Sequence, residues 1–173
     1  VNAIAGTGTY TYVNVDAQTG VTNALGLDAI KVGCMYKTAT VAMTGTTQVV
    51  DDNVDPNFHD DYNRPALVQS FEYLSDDEVF TVVVNHLKSK GSDCNAIGDP
   101  DVGDGQGNCN LTRTSAATVT LDYLATDPTG VNDTDVLIIG DLNAYAMEDP
   151  IKALKDAGYV NLVDQQYTYA FFG

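Results

Sequence analysis

The sequence predicts an α+β domain in which antiparallel strands come first and helices are placed among the later strands. Three observations predict this class. Short runs of alternating apolar and polar residues dominate the first half of the chain, and two later segments have helical spacing. The 173 residues, 44% hydrophobic and 18% charged, are enough for one buried core. We therefore expect a single domain over residues 1–173.

Alternation of aromatic and β-branched residues with polar ones predicts four early strands, at 9–15, 29–36, 66–74 and 78–87. The last two are separated by the short acidic turn Ser-Asp-Asp, so we expect a hairpin there. Residues 44–64 contain five aspartates among positions 51 to 61 and no periodicity, which predicts an exposed loop.

The second half of the chain contains the predicted helices. A helix within 110–128 is indicated by four apolar residues at roughly helical spacing: Leu111, Ala117, Leu121 and Leu124. A strand at 135–140 follows, and then a short helix at 149–157 with Pro150 in its first turn. The last run, 167–173, is apolar and strand-like.

The charge of the chain bears on its partners. Eight basic residues against 24 acidic ones give a net charge of −16, which repels nucleic acids and membranes at long range. Bound divalent cations would locally reverse this sign; the alternative is a soluble surface adapted to a salty or extracellular medium. Half of the basic residues nevertheless lie near strand or loop ends, which predicts a local positive patch: Arg64, Lys88, Lys90 and Arg113.

The ends of the chain have no recognisable targeting features. No run approaches the roughly eighteen apolar residues of a membrane span, and the N-terminus lacks the basic and apolar regions of a signal peptide. Both ends resemble mid-domain sequence, so we expect a piece of a longer protein. Unpaired strand edges and exposed apolar faces would then favour a dimer or aggregate.

Cys94 and Cys109 bracket a Gly- and Asp-rich loop that has almost no apolar residue to fold around. A disulfide here would contribute about 3 kcal/mol and would indicate an oxidising compartment; the alternative is two unrelated reduced thiols. Asp99, Asp101 and Asp104 in this loop have a spacing similar to calcium-binding loops. We expect a structural Ca²⁺, or otherwise a solvated loop of turns.

Two predicted strands end in polar side chains. The valine run before Asn85 delivers His86, and the apolar run before Gly140 delivers Asp141 and Asn143. If the backbone stays extended, Asp141 and Asn143 project to one side. Such a carboxylate and amide can hold Mg²⁺ or Mn²⁺, or position a water near phosphate. For His86 alone, the alternative is a satisfied histidine at a strand end.

Five segments carry a family resemblance. They are, in chain order, "DAIKVGCMYK", "NRPALVQSFE", "VVVNHLKSKGSDC", "GDPDVGDGQGNCNLTRT" and "VLIIGDLNAYAMEDPI". Together they resemble the endonuclease/exonuclease/phosphatase family, which is DNase I-like, and within it the secreted bacterial extracellular nucleases. The resemblance covers most of residues 27–172. It implies a four-layer α/β/β/α sandwich, truncated here at both ends, an extracellular or cell-surface location, and metal-dependent phosphodiester hydrolysis of DNA or RNA.

The resemblance also implies roles for individual residues. His86 would contact the scissile phosphate and support acid–base steps, and Asp141 would orient or deprotonate the attacking water. Asn143 would bind the phosphoryl oxygen or the metal, so Asp141 and Asn143 form a partial Mg²⁺ site. Arg64 matches an arginine that meets substrate phosphate. Lys88 and Arg113 are further phosphate-binding candidates, with a structural role as the alternative, and Asn85 is scaffold.

The chain also departs from the family pattern. The family's early Asn and Glu metal ligands and its late Asp-His pair have no match here, since the other histidine, His59, lies in the Asp-rich loop. We therefore predict that residues 1–173 alone hydrolyse DNA poorly. Two alternative functions stay open: a phosphoesterase of the same fold acting on lipid or inositol phosphates, and a non-catalytic, calcium-stabilised binding domain.

Overall fold

The computed structural model describes residues 1–165, and the predicted strand-like run at 167–173 lies outside them. The strands are β1 (Tyr10–Tyr12), β2 (Met35–Lys37), β3 (Val41–Val50), β4 (Arg64–Tyr73), β5 (Glu78–His86) and β6 (Val136–Asp141). The α-helices are α1 (Asn2–Ala5), α2 (Val15–Thr19), α3 (Asn110–Leu124) and α4 (Asp149–Asp156). Short 3₁₀ turns span Pro56–Phe58, Asn95–Ile97 and Leu162–Gln165.

The main sheet has the strand order β3-β4-β5-β6. Its first three strands are antiparallel, whereas β6 runs parallel to β5. The predicted β4–β5 hairpin is confirmed: the amide groups of Asp76 and Asp77 donate to the carbonyl of Tyr73, and Asp77 has a φ of 61°. The segment between β5 and β6 contains α3, as a parallel connection requires.

Each face of the main sheet is covered by a different part of the chain. Helix α3 covers one face, where the buried core includes Val68, Val83 and Ala116. The N-terminal segment covers the other, where the core includes Val13, Leu67 and Phe71. This arrangement confirms the α+β class. On the second face, Leu137 and Ile139 of β6 are exposed, and a dimer through such surfaces stays a prediction.

The predicted loop at 44–64 is wrong in its first part, because β3 continues to Val50 and the loop begins only after it. Gly45 and the neighbouring threonines hide the alternation in the sequence. The backbone is irregular between Thr44 and Gln48, and Gly45 has a φ of 64°. This bulge lets the amide of Thr46 donate to the carbonyl of Thr129 at 2.9 Å.

Two early strands are shorter than predicted. The run at 9–15 forms only β1, because Asn14 caps α2 through the amide of Ala17. The run at 29–36 contributes only the start of β2, and its first residues form a turn in which the Lys31 amide donates to the carbonyl of Asp28 at 3.2 Å. In both places a side-chain oxygen accepts a nearby amide, Asn14 from Ala17 and Asp28 from Ile30, and these local hydrogen bonds compete with strand pairing.

Both predicted helices are confirmed, but α3 buries only part of the predicted apolar stripe. Ala117 is buried and Leu124 packs against the core, whereas Leu111 is 63% exposed. Other deeply buried positions of α3 are small or polar, such as Ala116, Thr120 and Arg113. Within the described residues no helix combines the length and apolarity that membrane crossing requires.

The predicted disulfide is confirmed between Cys94 and Cys109. It closes residues 94–109, which form most of the segment between β5 and α3; we call that segment the strap (residues 88–109). The strap has little regular structure of its own, apart from one 3₁₀ turn and an isolated bridge between Cys94 and Asp99. The disulfide therefore constrains the backbone of the strap, as strand pairing constrains the backbone of the main sheet.

We expect Gly45→Ala to destabilise the protein more than Gly130→Ala. Both glycines have positive φ, so each substitution costs about 1 kcal/mol. A Cβ at Gly45 would also lie 2.6 Å from the Thr129 oxygen, whereas Gly130 has open space. Crowding should add about 1–3 kcal/mol for Gly45→Ala. Urea unfolding of the two variants measures the difference, and equal losses would contradict the bulge contact.

We expect reduction of the Cys94–Cys109 disulfide to lower the free energy of unfolding by about 3 kcal/mol, because it frees a loop with a sequence separation of 15. Urea unfolding of a Cys94→Ser, Cys109→Ser double variant gives the same quantity without a reductant. Cys34→Ser, which removes the free thiol, is the matched control. An unfolding free energy unchanged by reduction would show that the strap is held by other contacts.

Candidate active site

Three predicted site residues lie side by side at the end of the main sheet. Arg64 of β4 is opposite His86 of β5, and His86 is opposite Asp141 of β6. Residues in register on paired strands project from the same face, and neighbouring strands are about 4.8 Å apart. We call Arg64, His86 and Asp141 the strand-end row. It combines a cation, an imidazole and a carboxylate on one face.

The contact made by His86 defines its neutral tautomer. Its Nδ1 lies 3.0 Å from the carbonyl oxygen of Ile30. Because a carbonyl only accepts, Nδ1 carries the proton in this contact, and Nε2 remains to accept or, when the ring is protonated, to donate. His86 is half-buried, so one nitrogen is fixed by the protein and the other is available to a substrate.

Asp141 and Asn143 are linked, but not as the sequence predicts. The strand ends at Asp141, and Asn143 has a left-handed φ of 46°, so the backbone does not stay extended between them. Asp141 Oδ1 accepts the amide of Asn143 at 2.9 Å, and Asn143 Nδ2 donates to the carbonyl of Leu87 at 2.9 Å. Asp141 Oδ2 and Asn143 Oδ1 have no hydrogen-bond partner among the described residues.

These two oxygens fit part of a Mg²⁺ site. Magnesium prefers oxygen ligands and is often held by only one or two carboxylates while it keeps several waters. Within residues 1–165, no group of three His, Cys, Asp or Glu side chains is arranged to hold a metal ion. Asp141 and Asn143 would thus be the protein's ligands at this edge, with other positions left to water and substrate.

Gly140 allows β6 to approach β5 next to the site. Its φ is 118°, and a Cβ there would lie 2.0 Å from the backbone oxygen of Asn85. No other residue fits without separating the two strands. The glycine therefore holds Asp141 in register with His86, and Asn85 is buried scaffold as predicted.

Arg64 is held by a residue that the sequence analysis missed. Its Nε donates to Asp28 Oδ2 at 3.0 Å. The amide of Ile30 lowers the pKa of Asp28; burial opposes this shift and Arg64 adds to it, so the pKa lies below its ordinary value and this carboxylate is ionised at neutral pH. No local signal links Asp28 to Arg64, because 36 residues separate them.

Lys88 and Arg64 line the same cleft, which has a volume of about 490 Å³. The backbone amide of Lys88 donates to the buried Asn63, and its ammonium lies 5.9 Å from the ring centroid of Tyr62. The cleft also contains acidic side chains from two segments: Asp28, Asp60 and Asp61. Burial and neighbouring aspartates raise the pKa of Asp60. The cleft is therefore mixed in charge, and Arg64 is the member of the strand-end row that lines it.

The other half of the predicted positive patch does not face the cleft. Lys90 pairs with the buried Glu148 and lies 4.3 Å from the ring centroid of Tyr145. Arg113 is completely buried. Its guanidinium donates to three backbone carbonyls of the strap, those of Lys88, Gln106 and Asn108.

The predicted phosphate-binding role of Arg113 therefore does not fit its position. Its burial lowers the pKa, while the carboxylates of Glu148 and Asp99 raise it. A substrate phosphate cannot reach the side chain. The guanidinium N–H groups donate instead to carbonyls of the strap. Arg113 thus orders the strap that carries Lys88.

The three aspartates of the predicted calcium loop do not converge. Asp99 is buried and accepts the amide of Thr112 at 2.7 Å and that of Leu111 at 3.2 Å, which caps α3. Asp101 and Asp104 are exposed and accept amides within their own turns. The structure therefore favours the alternative, a loop of turns, over a calcium site.

We expect Gly140→Ala to destabilise the protein by at least about 3 kcal/mol, because the methyl group would collide with the β5 backbone and the residue has a positive φ. The matched control is Gly158→Ala, which has a φ of 98° and open space around the new Cβ. Urea unfolding compares the two. A loss no larger than that of the control would show that β6 does not need the close approach.

No protein-family model matches the chain, and no curated protein matches it. Among solved structures, it is similar to the catalytic domain of human Nocturnin with a bound sulfate anion, at 14% identity and a TM-score of 0.51. It is also similar to two Bacteroides thetaiotaomicron proteins at 14% identity: an endonuclease/exonuclease/phosphatase family protein, with a TM-score of 0.56, and a mannosyl-6-phosphatase, with 0.54.

The matches cover most of this chain but only about half of each similar structure. The Nocturnin match covers 90% of this chain and 51% of the Nocturnin chain. The corresponding shares are 88% and 48% for the family protein, and 87% and 49% for the phosphatase. The chain thus spans about half the length of the structures it matches. At this identity the likeness bears on architecture and not on activity. The described part of the chain has the DNase I-like fold of endonuclease/exonuclease/phosphatase proteins.

Proposed function

We propose that this protein is a divalent-metal-dependent hydrolase of phosphate esters and that nucleic-acid phosphodiesters are its substrates. The observation that carries the proposal is the strand-end row, in which Arg64, His86 and Asp141 lie on adjacent strands. The family resemblance of the five sequence segments supports the choice of nucleic acid. The Cys94–Cys109 disulfide supports an oxidising, extracellular or cell-surface setting.

Each residue of the site has a task in such a reaction. Asp141 and Asn143 would hold Mg²⁺ or Mn²⁺, which would polarise the phosphoryl group. A water adds to phosphorus while the ester P–O bond breaks, and Asp141 orients that water and accepts its proton. Protonated His86 donates from Nε2 to the leaving oxygen, and Arg64 and Lys88 neutralise charge on the phosphoryl oxygens.

A second candidate function is hydrolysis of a small phosphate ester, such as a sugar phosphate. Two observations favour it: one similar structure is a mannosyl-6-phosphatase, and the net charge of −16 disfavours a long polyanion. Lipid or inositol phosphates are further members of this class. A non-catalytic calcium-binding domain has less support, because Asp99 caps a helix.

We expect Asp141→Asn to reduce metal-dependent nicking of supercoiled plasmid by about 10²- to 10⁴-fold, because the variant removes the group that orients and deprotonates the water. The measurement uses the full-length protein with Mg²⁺ and with EDTA. Asp122→Asn is the matched control, since Asp122 lies exposed on α3, away from the site. Residues 1–173 alone should nick weakly, because the part that the structure describes, residues 1–165, supplies only two metal-binding oxygens at this edge.

The same preparations should also be assayed with a phosphate monoester, p-nitrophenyl phosphate. Metal-dependent hydrolysis of the monoester without nicking would replace the nuclease proposal with the second candidate. Nicking that persists in Asp141→Asn at the parent's rate would exclude the proposed site. Absence of both activities in the parent, with the metal present, would overturn the hydrolase proposal.

A further inference from the structure

We propose that Asp28 is a positioning residue of the phosphate-binding site: it holds Arg64 through one edge of the guanidinium so that the other edge meets the substrate phosphate. This inference rests on the proposed function. It concerns a residue 36 positions away from its partner in the chain, in a turn that contributes no side chain to the strand-end row.

The contact between the two side chains has a specific geometry. Asp28 Oδ2 accepts from Arg64 Nε, and no hydrogen-bond partner of the two terminal amino groups is found among the described residues. The Arg64 side chain is 16% exposed and that of Asp28 is 46% exposed. A guanidinium can bind a carboxylate at one edge and a phosphate at another, because its donors point in fixed directions.

The turn that carries Asp28 is itself ordered. Asp28 Oδ1 accepts the amide of Ile30 at 3.0 Å, and the Lys31 ammonium donates to the carbonyl of Gly26 at 3.2 Å. One carboxylate oxygen thus shapes the turn, while the other holds Arg64. Both oxygens are used, so the carboxylate cannot rotate without losing one of the contacts.

The same turn reaches a second residue of the row. The carbonyl of Ile30 lies 3.0 Å from His86 Nδ1, and the amide of the same residue donates to Asp28 Oδ1. One three-residue turn therefore holds side chains on two strands, Arg64 on β4 and His86 on β5. This double contact distinguishes Asp28 from the other carboxylates of the cleft.

Two roles for Asp28 have opposite consequences. If it only competed with phosphate for Arg64, loss of its charge would tighten phosphate binding and lower KM. If it positions Arg64, its loss lets the guanidinium rotate, and transition-state charge is stabilised less. The contacts favour positioning, because Asp28 accepts only from Nε of the Arg64 guanidinium. The edge formed by the two terminal amino groups stays available to the substrate phosphate.

The kinetic test compares Asp28→Asn with the parent in the full-length protein. We expect kcat to fall about tenfold with little change in KM. Asp16→Asn is the matched control, because Asp16 also accepts two backbone amides in the N-terminal segment but contacts no site residue. Asp28→Glu, which retains the charge, should recover part of the lost kcat. A lower KM with unchanged kcat, or equal effects of Asp28→Asn and Asp16→Asn, would overturn the inference.

A second measurement does not depend on activity. In the full-length protein, the Nε–Hε NMR signal of Arg64 is assigned as the one that disappears in Arg64→Lys. We expect hydrogen exchange at Arg64 Hε to accelerate at least fivefold in Asp28→Asn and not in Asp16→Asn. Unchanged exchange would overturn the inference. If the parent hydrolyses no phosphate ester, the proposed function fails, and this exchange rate still decides whether Asp28 fixes Arg64.

Discussion

The geometry of the site depends on one close approach, that of the β6 backbone to β5 at Gly140. There the two strands are so near that a Cβ atom would overlap the carbonyl of Asn85. The approach sets the register in which Asp141 lies opposite His86. A slip of one residue would turn Asp141 to the opposite face of the sheet. Gly140, which has no side chain, thus determines how Asp141 lies relative to His86.

Backbone groups organise most of what surrounds this pair. The Ile30 carbonyl determines which nitrogen of His86 carries the proton, and the Leu87 carbonyl anchors the amide of Asn143. Arg113 gathers three carbonyls of the strap in a similar way. Such contacts depend on where the chain runs and only weakly on the residue that supplies the carbonyl. They leave little trace in the sequence.

This explains which predictions succeed. The β4–β5 hairpin and α3 follow from local periodicity, and the short α4 follows from Pro150 in its first turn. Strand β3 was missed because a glycine and its threonines break the alternation. His86 and Asp141 were predicted as candidates because each ends a buried strand, and the family resemblance assigned both to one site. The role of Arg113 was left open between phosphate binding and structure, because a basic residue near a loop has the same sequence context in either role. Asp28 was missed because its contact with Arg64 depends on tertiary structure.

The distribution of cations has a consequence for how a substrate arrives. Four of the eight basic residues form ion pairs with carboxylates, and Arg113 is buried. If the proposed substrate is a nucleic acid, its approach is opposed by a net charge of −16, and the cleft offers it two cations, Arg64 and Lys88, beside three aspartates. Divalent cations that accompany the nucleic acid would weaken this repulsion. The divalent cations would then affect both the association of substrate with the protein and the hydrolysis of the bound ester. The hydrolysis rate would therefore rise with metal concentration more steeply than the occupancy of one metal site allows.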